Sequence, residues 1–167
     1  MGLFTKDIKS IEDLFNHQLK DIYYAERRIY AALEKMIKKA KTPDLRSAFE
    51  SHHGETKSHM ARLEKVFELL GVKAEAVTCP AIDGIIKEAD EVAGEIADAR
   101  VLDAALIANA QAVEHYEMAR YGTLIAWAKQ LGHDDVAKLL NDNLGEESAT
   151  DKKLTKIAES RVNRIAA

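Results

Sequence analysis

Two tight turns and one long connection, separating four long helical patterns, constrain this chain more than any other feature. Apolar residues recur at three- and four-residue intervals along Phe15, Leu19, Ile22, Ile29, Leu33 and Ile37, the spacing of one helical face. A Ser10-x-x-Asp13 signal opens this first helix, predicted over 10–41, and Thr42-Pro43 closes it, because proline disfavours helix in the residue before it. A second helix is predicted over 44–70 on the stripe Leu45, Phe49, Leu63, Val66, Leu70, with Gly71 after its end. Residues 72–97 read as a connection with a short helix after Pro80. Helices three and four follow over 98–131 and 134–162, separated by Gly132.

Composition agrees with an all-α class: hydrophobic residues make up 47%, aromatics only 6%, and there are two prolines. The length of 167 residues suits one domain, residues 1–167. Two antiparallel hairpins joined by a long connection describe a ferritin-like four-helix bundle with its crossover between helices two and three. The net charge of −4 argues against general affinity for nucleic acid or anionic membranes. A single cysteine, Cys79, excludes an internal disulfide framework and any CxxC site, and fits a reducing cytoplasm. MGLFTKDIKS lacks a signal-peptide core, and no apolar run is long enough to span a membrane.

The apolar stripes are interrupted by acid. At 100° per residue, Glu26 falls at the centre of the first stripe; His52 and His59 fall at the centre of the second, with Glu55 toward its edge. Glu117 lies among Val113, Tyr121 and Leu124, with Glu114 further round, and Glu147 lies between Leu140 and Leu154, with Asp151 one turn later. Glu26, Glu55, Glu114, Glu117 and Glu147 all fall within three residues of their helix midpoints, so antiparallel packing brings them to one level. Inward carboxylates at one level are costly unless compensated. They could pair with bases, for which Arg120 is the inward candidate; they could protonate; or they could bind metal. An isolated helical glutamate is usually solvated and a lone stripe histidine usually a core residue. An acidic level on all four helices favours metal, and hard oxygen donors with imidazole suit iron or manganese.

The stretches LKDIYYAERRI, HHGETKSHMARLEKVFELLG, QAVEHYEMARYGTL and LGEESATDKKLTKIA, spanning nearly the whole chain, resemble the YciF-like family of bacterial stress-response proteins, ferritin-like and distantly similar to rubrerythrin. The resemblance implies a dinuclear centre of two iron or manganese ions, and often a homodimer. By matching positions, Glu26 looks like the helix-one ligand, Glu55 and Glu147 like bridging carboxylates, and Glu114-x-x-Glu117 like the paired glutamates of rubrerythrin-type sites. The sequence departs from the usual E-x-x-H: Glu55-x-x-Ser58 stands in helix two with His59 one residue late, and Asp151 stands where a histidine would be. With no CxxC pair, a redox cycle needs an external electron donor.

Two functions follow as expectations. One is a di-iron peroxidase or ferroxidase, with Glu26, Glu55, His59, Glu114, Glu117, Glu147 and Asp151 holding the metals. The other is a non-enzymatic bundle dimerising through an exposed face that includes Ile107, Met118 and Ile125. His115 reads as surface, Cys79 as a connector thiol, and the five tyrosines as packing residues that could carry electrons near the metals.

Overall fold

Residues 8–167 are described in a computed structural model; the reading of the first seven residues as lacking a signal peptide lies outside them. The helices are α1 (Ile11–Lys39), α2 (Pro43–Leu69), α3 (Pro80–Glu95), α4 (Ala99–Gln130), α5 (Asp134–Ile157) and α6 (Asn163–Ala166), with one π-helical turn, Ala158–Val162, between the last two. Among the described residues there is no strand. The predicted fourth helix, 134–162, therefore changes pitch near its end. The connection holds a longer helix than expected, α3, of 16 residues.

The boundaries follow local chemistry. Ser10 Oγ accepts from the Asp13 amide at 3.0 Å while the Asp13 carboxylate accepts from the Ser10 amide at 3.1 Å, a reciprocal cap on α1. Gly71 and Gly132 adopt φ of 66° and 80°, the left-handed conformation that ends a helix and that side chains resist. The amides after each glycine return to the preceding turn: Val72 donates to the Phe67 carbonyl at 3.0 Å and His133 to the Ala128 carbonyl at 2.8 Å.

α1, α2, α5 and α4 form a closed ring in which each packs against two others, and α3 lies outside it against α1 and α4. The start of α4 is tied to the α1–α2 turn: buried Asp103 accepts from the amides of Lys41 at 2.8 Å and Thr42 at 2.7 Å, and from the Thr42 hydroxyl at 2.5 Å. α4 thus descends from the level where α1 ends, and all neighbouring ring helices are antiparallel. α3 runs beside α1 in the same direction. Arg28–Asp83 and Lys35–Asp90 are ion pairs with the same sequence separation of 55, as two parallel helices of equal rise require; Lys20 pairs with Glu75 in the connection that leads into α3.

The apolar residues of all four stripes meet in one core. Ile107 and Ile125, expected on an outer dimerising face, are only 2% and 8% exposed and belong to this core. The apolar width of α4 has its explanation inside the chain, since α4 meets α1, α3 and α5 together.

Candidate metal centre

His52 and His59, seven residues apart on α2, are separated by almost two whole turns and so project from one face. Opposite them stand Glu114 and Glu117 of α4, Glu26 of α1 and Glu147 of α5, all buried. Ligand atoms of His52, Glu114, Glu117 and Glu147 lie within 4.8 Å of one another, as do those of Glu26, His59 and Glu147. The two groups share Glu147. Its Oε1 is 2.9 Å from His59 Nδ1 and its Oε2 is 3.6 Å from His52 Nε2. Glu114 Oε1 is 3.2 Å from His52 Nε2, and Glu26 Oε1 is 3.4 Å from His59 Nδ1.

Within the cluster, burial and neighbouring charges shift several groups. Burial raises Glu26, raises Glu117 well above the usual carboxylate range, and lifts Glu147 to about 7; neighbouring carboxylates add to each. Burial alone would depress the imidazoles. The carboxylates around His52 overcome it and hold that ring well above its usual value, and Glu147 and Glu26 raise His59 to about 10. Without metal, the histidines are therefore the cations that answer these acids. Arg120, the candidate cation on the sequence, instead lies over the Tyr116 ring, 5.2 Å from its centroid.

Even so, the centre is not satisfied. Glu26 Oε2, His52 Nε2, His59 Nδ1, Glu114 Oε2 and both carboxylate oxygens of Glu117 and Glu147 are buried without an aligned hydrogen-bond partner. Buried polar atoms are paired in nearly all native proteins, so such a convergence demands a reason. These nitrogen and oxygen atoms could hold a metal ion. The donor set is mostly carboxylate with two imidazoles, a hard-oxygen set with nitrogen donors.

Behind each imidazole stands a second carboxylate. Glu55 Oε2 is 3.4 Å from His52 Nδ1, with the Thr150 hydroxyl 3.3 Å from both. His59 Nε2 donates to Glu146 Oε2 at 2.8 Å. Arg62 clamps Glu146 with two bonds of 2.8 Å and also donates to Asn143 Oδ1 at 2.9 Å. Asn143 Nδ2 in turn donates to the Tyr121 hydroxyl at 2.9 Å, and that hydroxyl donates to Glu26 Oε1 in a short bond. Arg62 thus anchors two chains of hydrogen bonds, one ending on His59 and the other on Glu26. Partners of this kind fix ring orientation and tautomer at metal sites.

Of the seven residues read from the sequence as ligands, Glu26, His59, Glu114, Glu117 and Glu147 come together. Glu55 and Asp151 fall outside both groups. Glu55 lies 60° round the helix from His52, and its half-exposed side chain reaches the far side of that ring. Asp151, one turn past Glu147 and 40° round, accepts from Gln111 Nε2 at 2.9 Å and faces the exposed His115 ring at 3.3 Å. His52, weighed on the sequence as an alternative to His59, joins the site alongside it. Reading the sequence missed the supporting network. Asn143 and Tyr121 each sit one turn from a central glutamate on a buried stripe, which was a usable signal. Arg62 and Glu146 look like ordinary surface charges.

Fold and site together define a ferritin-like helical bundle with a buried carboxylate–histidine cluster. The chain belongs to the family DUF892, a domain of unknown function, matched over residues 10–167. It is 45% identical over 161 residues to Protein YciF of Escherichia coli strain K12, covering 96% of this chain and 97% of that one. Its fold is similar to the crystal structure of the E. coli stress protein YciF, with a TM-score of 0.89 over 93% of this chain and 99% of that one. YcfI from Rhodopseudomonas palustris, provisionally designated a structural protein, is 59% identical with a TM-score of 0.91 over the same shares. A protein from Xanthomonas campestris pv. campestris shares the fold at 22% identity and a TM-score of 0.73, over 93% of this chain and 95% of that one.

Proposed function

We propose that this protein is a stress-response bundle whose buried cluster holds two iron or manganese ions for redox chemistry with oxygen or peroxide. The observation that carries the reading is the convergence of orphaned ligand atoms from all four ring helices on two groups that share Glu147. His52, Glu114, Glu117 and Glu147 would hold one ion; Glu26, His59 and Glu147 the other. Two bound ferrous ions would supply the two electrons that reduce one oxidant molecule to the peroxide or water level.

The chain's own residues prepare this site in definable ways. Glu55 and Glu146 orient the two imidazoles from behind, so that His52 presents Nε2 and His59 presents Nδ1. Tyr121 holds its proton on Glu26 Oε1, leaving Oε2 for a metal. The core around the cluster excludes water, which strengthens every charge interaction within it. To bind a metal, His59 and Glu147 would have to release protons, so uptake should weaken as pH falls.

A bundle without turnover is the second reading, favoured by the designation of the R. palustris relative. Anaerobic loading with ferrous iron separates the two. About two ions per chain, followed by rapid oxidation when hydrogen peroxide or oxygen is added, is the expected result. A metal content near zero would sink the first reading. Glu147→Ala should abolish binding at both positions, because Glu147 is the residue common to them.

A further inference from the structure

A cavity of about 40 Å³ lies beneath α3, between α1 and α4. Its walls are apolar, built by Ile29, Ile86, Ala89, Leu106 and Val113 among others. At one end are Lys35, Lys39 and Asp90, exposed and ion-paired across the α1–α3 seam at 3.1 and 3.8 Å. At the other end is Glu114, 2% exposed, with Oε2 unpartnered. The α1 wall runs from Ile29 to Lys39, about 15 Å of helix, and Ile29 is one turn from Glu26. The cavity therefore spans the layer between solvent and the cluster.

Its size and lining restrict what it can take. One water needs roughly 10–15 Å³ of such space and two to four polar partners. The cavity has room for a molecule of two or three heavy atoms, yet between its ends the one unpartnered donor on its wall is the Asn109 amide, Nδ2. Hydrogen peroxide would lose most of its hydrogen bonds with water on entering, and a hydrated metal ion would lose its shell; an apolar diatomic loses nothing.

We propose that this cavity is the binding and entry site for a small apolar molecule of dioxygen size, delivered to the cluster beside Glu114. The proposal rests on the reading of the cluster as a metal centre and specifies dioxygen as its oxidant. Metal ions and polar oxidants then reach the cluster by another route.

Xenon, an apolar atom of suitable size, tests the cavity independently of metal. In methyl-labelled, metal-free protein under xenon pressure, the resonances of Ile86, Leu106, Ala110 and Val113 should shift saturably. Ala89→Phe and Ala32→Phe, which fill the space from α3 and α1, should each abolish the shifts while metal per chain stays at the wild-type value. In ferrous-loaded protein the same variants should slow oxidation by dioxygen at least tenfold and change oxidation by hydrogen peroxide less than twofold. The absence of saturable xenon shifts in the wild-type protein, or shifts that persist in both variants, would overturn the proposal. Equal slowing of both oxidants would overturn the assignment to dioxygen. A wild-type chain that binds xenon but no metal would refute the metal centre while leaving the cavity as an apolar site.

Discussion

Glu147 meets both histidines, and its position makes the cluster one unit rather than two neighbouring sites. The residues behind the proposed ligands should matter almost as much. Arg62→Ala or Glu146→Gln removes the restraint on His59 without touching a ligand atom, and metal affinity should fall about 10- to 100-fold in a competition titration. An unchanged affinity would mean that core packing alone positions the ring. The protonation pattern gives a second expectation. Glu147 and His59 both bind protons more tightly when folded than when unfolded, Glu147 rising from 4.5 to about 7 and His59 from 6.5 to about 10. A group raised in this way stabilises the fold below its unfolded value, and that contribution is lost as pH climbs through the folded value. Glu55 and Glu146 are lowered by their hydrogen bonds to His52 and Arg62 respectively, so their contribution is lost as pH falls below the ordinary carboxylate range. Thermal melts of the metal-free protein should therefore show greatest stability near pH 5 and lower stability at pH 8. A midpoint that rises steadily over that interval would contradict the assignment.

At the scale of elements, α3 is held differently from the ring. Its link to α1 is a set of exposed or half-exposed ion pairs, Arg28–Asp83, Lys35–Asp90 and Lys39–Asp90, each weak and weakened further by salt. Its fully packed apolar residues are few, Ile82 and Ile86. Hydrogen exchange should show α3 opening before α1, α2, α4 and α5, and opening faster at high ionic strength. Equal protection of all five helices would count against this. The α1–α2 turn has the opposite character, because Asp103 satisfies three donors there at once. Asp103→Ala should cost about 2–3 kcal/mol in a denaturant melt by leaving buried donors unpaired. Gly132→Ala should cost about 1–2 kcal/mol, since φ of 80° places a side chain in the left-handed region.

Across the whole molecule, the four ring helices are both the fold and the source of every residue of the buried cluster. The cluster is therefore a site where the fold sacrifices stability when metal-free, with acids buried where leucines would pack. Ligand binding to the native state alone raises stability by mass action, so metal should raise the melting midpoint of the wild-type chain and leave that of Glu147→Ala unchanged.

Much of this is legible in the sequence alone. The Ser10–Asp13 cap, the proline after Thr42 and the two glycines at 71 and 132 are local signals, and local backbone chemistry reads them. The level of acid on four stripes was equally visible, because helical periodicity places a residue by counting. Counting gives the angle round a helix, with an error that grows at the edge of a stripe. Glu55 and Asp151 stand there, and they turn to support a ring or face α4 instead of converging with the other acids. Whether His52 or His59 faces the cluster could not be decided by phase, since both lie at the centre of one stripe; packing admits both because two groups share one carboxylate. The tertiary structure alone decided the hydrogen-bonded chains from Arg62, which join residues more than eighty positions apart, and the cavity beneath α3. Such features depend on which faces meet and at what height, and a one-dimensional pattern carries the faces but not their meeting.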